Sequence, residues 1–404
     1  MIARSLAGAV LMSALGVTAA FAQTPQTPAE PATPARLQLG PLAVRPALVL
    51  REVGYDSNVL HRADGAQGDF TATFGAKVDL GLKASRVQAT STSFYEYLYF
   101  QTFDGERGAN RGLDGRIDLL FERLRPYFSA GINRTHERPN AEIDARASRL
   151  SSNVAVGATL AAFSRTSLHA GYRRTATEFA DDEIFRGVRL ADELNGHATA
   201  LAYGADFVLS PFTTLSVHGE RAEDRFDAAA ERDANSYRYG VTAILHPLAL
   251  ISGRASVGVR AFRPLSNQLR EFTGLTAAIA VSYAIREETR IGLTIDRDLR
   301  YSFAEQTPYY ISTGGRLTAT QRLFGDFDGQ LFGGLERIAY EARLDVPGAA
   351  EINDHVRIVG GGLGYRMGDG SRLGVNVDYA TRTSPIAASE YSRGRVYATL
   401  NYGF

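Results

Sequence analysis

Arg395-Val396-Tyr397-Ala398-Thr399-Leu400-Asn401-Tyr402-Gly403-Phe404 are the last ten residues of the chain. Side chains of a β-strand point alternately to its two faces. One face of this stretch therefore carries Val396, Ala398, Leu400, Tyr402 and Phe404, and the other carries Arg395, Tyr397, Thr399, Asn401 and Gly403. The first face suits lipid and the second suits water.

The same alternation recurs upstream. Leu373, Val375, Val377 and Tyr379 oppose Arg372, Asn376 and Asp378, while Ile291, Leu293 and Ile295 oppose Arg290, Thr294 and Asp296. Val257 and Val259 oppose Arg254, Ser256 and Arg260, and Phe74, Ala76, Val78 and Leu80 oppose Thr73, Lys77 and Asp79. Short turn segments such as Ala84-Ser85-Arg86, Ser164-Arg165, Pro247-Leu248 and Gly368-Asp369-Gly370 alternate with longer polar connections. Eight short and nine long connections predict 18 strands, or 16 if the weakest pair fuses. An even number of antiparallel strands puts both ends of the sheet on one side. The fold class expected is all-β: a transmembrane antiparallel up-and-down β-barrel closed by the C-terminal strand. A soluble sandwich would bury both inner faces, and the charges repeated on one face here would not tolerate that.

Composition agrees. The chain has 404 residues, 44 basic and 44 acidic, so its net charge is zero and a nucleic-acid partner is not expected. It contains no Cys, which excludes disulfides, thiolate metal ligands and a thiol nucleophile. Trp is absent, while 19 Tyr, 21 Phe and 40 Gly suit strands and tight turns. Arg4, the apolar run Leu6 to Ala20 and the small-x-small site Ala20-Phe21-Ala22 predict a cleaved signal peptide over 1–22. Residues 23–36, rich in Pro and Thr, predict a disordered periplasmic leader, and 37–404 the barrel.

Catalytic groups are sparse. Ser167 with His169, and Ser216 with His218, share a predicted lumen face, but i and i+2 on a strand are nearly 7 Å apart, awkward for direct activation. They read as polar lining, and no enzyme, cofactor or metal site is expected. The lumen charges are the stronger functional lead. The alternation points Lys77, Asp79, Asp114, Arg116, Asp118, Arg173, Glu220, Arg254, Arg260, Arg290, Asp296, Arg316, Asp328, Glu336, Arg372, Asp378 and Arg395 inward, as candidates for setting solute selectivity. Aromatic girdles are expected at the outer rim (Tyr95, Tyr97, Tyr99, Tyr301, Tyr309, Tyr310) and the inner rim (Phe121, Tyr127, Phe163, Phe324, Phe327, Phe404). The outer loops look too short to fold inward as a constriction.

Two stretches carry a resemblance. The final strand, with Val396, Ala398, Leu400, Tyr402 and Phe404, resembles the terminal assembly signal of bacterial outer-membrane proteins, with Thr399 where glycine is common. That implies the barrel assembly machinery and outer-membrane lipid of a Gram-negative bacterium as partners. Arg45-Pro46-Ala47 and Gly54-Tyr55-Asp56-Ser57-Asn58-Val59 resemble the first strand and loop of the putative β-barrel porin 2 family, with Pro46, Tyr55, Asp56 and Asn58 the most telling residues. The resemblance implies porin-like passage of hydrophilic solutes and a link to exopolysaccharide-export components. The residues themselves read Asp56, Ser57 and Asn58 as loop-starting hydrogen-bonders, with a Ca²⁺ site at Asp56 and Asn58 as the lesser alternative. A non-conducting barrel acting through partners, and a barrel enzyme on lipid or polysaccharide, stay open as alternatives.

Overall fold

The computed structural model describes residues 37–246, 249–286, 288–345, 352–368 and 371–403. The predicted signal peptide and leader, Phe404 and the turns at Pro247-Leu248 and Asp369-Gly370 lie outside these residues. Eighteen antiparallel strands form one ring. In chain order they are β1 (Leu42–Asp56), β2 (Asp69–Lys83), β3 (Val87–Phe100), β4 (Gly108–Leu119), β5 (Leu124–Glu137) and β6 (Ala147–Phe163). There follow β7 (Thr166–Phe179), β8 (Gly196–Ser210), β9 (Thr213–Phe226), β10 (Ala234–Leu245), β11 (Ile251–Pro264) and β12 (Phe272–Ile285). The ring ends with β13 (Thr289–Tyr301), β14 (Tyr309–Arg322), β15 (Phe327–Glu341), β16 (Asn353–Arg366), β17 (Arg372–Thr383) and β18 (Tyr391–Gly403). Each strand pairs with its sequence neighbours, and β1 pairs with both β2 and β18, so no edge is left open. The 16-strand alternative is thereby excluded. A short piece, Leu37–Leu39, folds back on the start of β1.

The strand faces follow the alternation. On the outside are Leu275, Leu331, Leu335, Leu363 and Val396, each more than half exposed in the isolated chain, an arrangement that only lipid makes favourable. Phe121, Phe163, Phe212, Phe324 and Phe327 stand outward beside the short turns. Tyr127 does not join them, because its ring lies under the Arg116 guanidinium, 4.1 Å away, inside the barrel. The turn end of the outside is thus an apolar band edged by aromatics.

The seam is built from the residues that resemble a family motif. Pro46 has no amide N–H to give, and it sits one place beyond the last β1–β18 pair, Ala47 with Gly403, so no ladder bond is lost on that side. At the other end Asp56 Oδ1 accepts from the Asn58 amide at 2.9 Å. Buried Asn58 donates Nδ2 to the carbonyls of Arg62 and Ser392 at 2.9 and 3.0 Å and accepts from the Arg62 amide at 2.9 Å. Ser57 and Gly394 exchange two more bonds, at 2.9 and 2.8 Å. Gly54-Tyr55-Asp56-Ser57-Asn58 thus fastens the first strand to the last. Asp56 Oδ1 and Asn58 Oδ1 are engaged in these bonds, Asp56 Oδ2 lies 3.8 Å from Arg393, and no metal-holding group of acidic and His residues occurs among the described residues.

Candidate functional site: the lumen and its outer mouth

Alternation breaks once where it matters. Between Leu50 and Val53 the β1–β18 register slips, and Glu52 takes a positive φ of 54°. This bulge turns two consecutive charges inward. Arg51 pairs with Glu96 and lies 3.5 Å from Glu137, while Glu52 meets Arg395 at 2.6 Å. Arg395 also holds Asp378 at 2.8 Å. A charge ladder therefore runs along one wall from β5 through β3, β1 and β18 to β17. The facing wall carries a second. Arg173 meets Glu220 at 3.2 Å, and Arg238 meets Asp298 at 2.7 Å. Arg260 reaches Asp298 at 3.1 Å and Asp224 at 3.8 Å.

The inward set expected from the sequence lies on this inner surface. Lys77 pairs with Asp79 at 3.0 Å and Arg116 with Asp118 at 2.7 Å. Asp114 accepts from Asn133 at 3.3 Å, and Glu336 accepts from Ser312 at 2.7 Å. Asp296 holds Arg300 at 2.6 Å, Asp328 holds Arg366 and Arg372 at 3.2 and 2.6 Å, and Arg316 lies over the Phe332 ring. Arg254 and Arg290 share the inward parity of their strands. Arg51, Glu52, Glu96, Glu137, Arg238 and Asp298 were not singled out. For the first two, strict alternation cannot anticipate a bulge; Glu96, Glu137 and Arg238 lie in strands whose alternation is not read above, and Asp298 lies two residues beyond the stretch, Arg290 to Asp296, over which that of β13 is read.

The Ser–His pairs do not form a nucleophilic site. His169 Nδ1 is 3.2 Å from Asp206, and its ring lies over Gly204, as that of His218 does over Gly240, where a Cβ would collide. No hydrogen bond joins Ser167 or Ser216 to either histidine among the described residues. The histidines fill space beside glycines in the wall.

The outer mouth departs from expectation, because the long loops fold inward and interlock. Loop 138–146, between β5 and β6, crosses the opening. Glu142 accepts from Ser302 at 2.5 Å, and Ser302 belongs to the β13–β14 loop, eight of eighteen strand positions away. From β17, buried Arg382 donates to the Ala141 carbonyl at 2.7 Å and pairs with Asp354 at 2.5 Å and Asp144 at 3.3 Å. Arg138 donates to the Val59 carbonyl at 2.5 Å. Loop 180–195 spans the other diameter, with Arg186 donating to Ser389 Oγ at 2.6 Å and to the Ala388 carbonyl at 3.0 Å. Ile143, Phe179, Phe185, Leu190 and Phe303 meet beneath as a small apolar core. Each loop is short, but several share one opening, and together they cover it.

The ends of β13 and β14 bend inward too. After Arg297, β13 no longer pairs with β12. Tyr301 donates to Asp224 at 2.9 Å, its ring is 4.7 Å from Phe226, and buried Tyr309 packs on Phe262. Tyr301, Tyr309 and Tyr310 therefore belong to the mouth's packing and not to a lipid-facing girdle, whereas Tyr95 and Tyr97 do stand outward. Burial among the loops raises the Glu142 carboxyl to about 8, and burial beside Arg138 and Arg393 pushes His61 down, so both sit neutral in the closed mouth.

The outer surface is asymmetric. Nine outward arginines (Arg111, Arg134, Arg174, Arg221, Arg225, Arg263, Arg297, Arg337, Arg357) and three outward glutamates (Glu178, Glu223, Glu341) all stand on the loop half of their strands. Among the described residues the turn half has no charged side chain facing out.

A family model described as putative beta-barrel porin 2 matches residues 30–404. Of solved structures, the outer membrane protein opdK from Pseudomonas aeruginosa is 12% identical, covering 89% of this chain and 98% of that chain with a TM-score of 0.50. A BenF-like porin from Pseudomonas fluorescens Pf-5 is 9% identical, with the same coverages and a TM-score of 0.50. At such identities the likeness is one of fold alone. No curated protein matches the sequence. With a closed 18-strand barrel, an apolar outer band and a match over nearly the whole chain, this protein belongs to the putative beta-barrel porin 2 family and is a porin-like β-barrel of the Gram-negative outer membrane.

Proposed function

We propose that the barrel passes small hydrophilic solutes and that its interlocked loops set the size limit. The observation that carries this reading is the pair of charge ladders on facing walls, Glu137 to Asp378 and Arg173 to Asp224, which give the inner surface the polar, charged lining that suits hydrophilic solutes. A polysaccharide chain would have to displace loops 138–146 and 180–195 together, so small solutes are favoured over polymer even if the protein works beside exopolysaccharide-export components. The lining charges then act as selectivity residues, and no catalysis is assigned. The terminal strand is read as the signal taken up by the barrel assembly machinery. Proteoliposome swelling with sugars of graded length tests the reading. Monosaccharides should enter and long oligosaccharides should not; equal entry of both, or of neither, contradicts it.

The mouth itself favours a second reading, a shut barrel working through partners. The absence of swelling with every solute, for protein whose gel mobility shows it folded, would select that reading.

A further inference from the structure

Forty-two of the 44 basic residues are arginine, the exceptions being Lys77 and Lys83. Arginine's planar fork grips a phosphate with two parallel hydrogen bonds, which an ammonium cannot do. On the outer surface some arginines are already satisfied: Arg221 lies 2.9 Å from Glu223. Others are not. Arg111 on β4 stands directly opposite Arg134 on β5, and both are exposed. Like charges facing each other across a strand pair repel, and among the described residues neither forms an ion pair. Around the ring, Arg337 on β15 faces His355, with Arg357 one diagonal step away. Among the described residues Arg337 has only the Asn353 amide oxygen, at 2.9 Å. Directly opposite Arg357 is Leu335, and below it Val359, two of the most exposed apolar side chains on the barrel.

Height places these pairs. A tilted strand crosses the hydrocarbon in about 9–11 residues. The strands here run from 12 residues in β4 to 17 in β6, so their ends project past it. The turn ends carry the apolar band, which leaves the arginine pairs at headgroup level on the loop side.

We propose that Arg111 with Arg134, and Arg337 with Arg357, bind the phosphates of an anionic outer-leaflet lipid, a diphosphorylated glycolipid whose acyl chains lie on the apolar band below. The phosphate supplies the counter-charge each pair lacks, and the adjoining leucine and valine side chains supply the contact that distinguishes a lipid from free phosphate.

Native mass spectrometry of the detergent-folded barrel tests this with diphosphorylated lipid A, the same lipid without phosphates, and pyrophosphate as a headgroup-only probe. The wild type should retain lipid A. R111Q/R134Q and R337Q/R357Q should each weaken retention about tenfold, the loss of one charge-assisted pair, and removing the phosphates from the lipid should do the same. R221Q should leave retention unchanged. Only protein with heat-modifiable mobility on gels is scored, and the two double variants test the idea independently should one fail to fold. Undiminished retention in both double variants, equal retention of the dephosphorylated lipid, or displacement of lipid A by pyrophosphate at equal concentration would overturn the proposal.

Discussion

The turn half and the loop half of this barrel are built on different rules. In the turn half the strands keep their alternation apart from one-residue slips beside two turns, at Ala161/Phe163 and Val208/Ser210, connections are a few residues long, and nothing charged faces outward among the described residues. In the loop half β1 carries a bulge, β13 and β14 bend off the wall, arginines face outward, and loops meet across the mouth. One half answers to a uniform solvent, lipid outside and water inside. The other sits at a boundary and packs more as a soluble protein does, with a small apolar core and buried ion pairs. Alternation alone therefore describes half the molecule well.

Charge placed on the outer face should break the comparison most sharply. Val377 and Thr381 lie on the same face of β17, Val377 mid-strand and Thr381 near the loop end. Val377→Arg should cost about 2–4 kcal/mol and Thr381→Arg about 0–1 kcal/mol, the depth dependence expected of a lipid-facing wall. Urea unfolding in lipid vesicles measures both, and equal costs would remove the distinction between the halves.

The seam predicts the next largest effect. Asn58→Ala removes three hydrogen bonds from a buried position and leaves the Ser392 carbonyl unpaired, a loss of about 2–3 kcal/mol. A wild-type unfolding midpoint for this variant would mean the Gly54-Tyr55-Asp56-Ser57-Asn58 loop does not hold the barrel closed.

The smallest effect is pH-dependent and confined to the mouth. Glu142 has its carboxyl raised to about 8 when the loop is packed. Its contribution to closure is complete below the ordinary carboxylate range and is lost as pH rises through 8. His61 is depressed, so it contributes above its ordinary range and weakens closure as pH falls below it. Limited proteolysis of loop 138–146 should be slowest at mildly acidic pH and faster at either side. Glu142→Gln should abolish the alkaline rise and keep the acid one.

The sequence made the strand rhythm legible because alternation and turn length are local properties. Val396, Leu400 and Tyr402 stand on the face that their spacing assigns. The eight turns and nine loops alternate as counted. What was not legible depends on residues far apart in the chain. Glu142 and Ser302 are 160 positions apart, and Arg382 and Ala141 are 241 apart. No window of sequence reports such contacts. Tyr301 and Tyr309 show the cost: aromatic residues at strand ends resemble a girdle until the strands are seen to bend inward. Tyr127 shows another, since its neighbour Phe128 is the aromatic side chain on the outward face.

The central claim is that the barrel encloses a water-filled path that loops 138–146 and 180–195 narrow at the outer mouth. Single-channel recording in planar bilayers, comparing the wild type with Arg382→Gln, tests it directly. Arg382 on β17, paired with Asp354 of β16, is the buried anchor that holds the crossing loop through Asp144 and the Ala141 carbonyl. Small, discrete steps from the wild type and larger steps from the variant are predicted. Folded protein that gives no steps in either form, or the same conductance in both, would contradict the account.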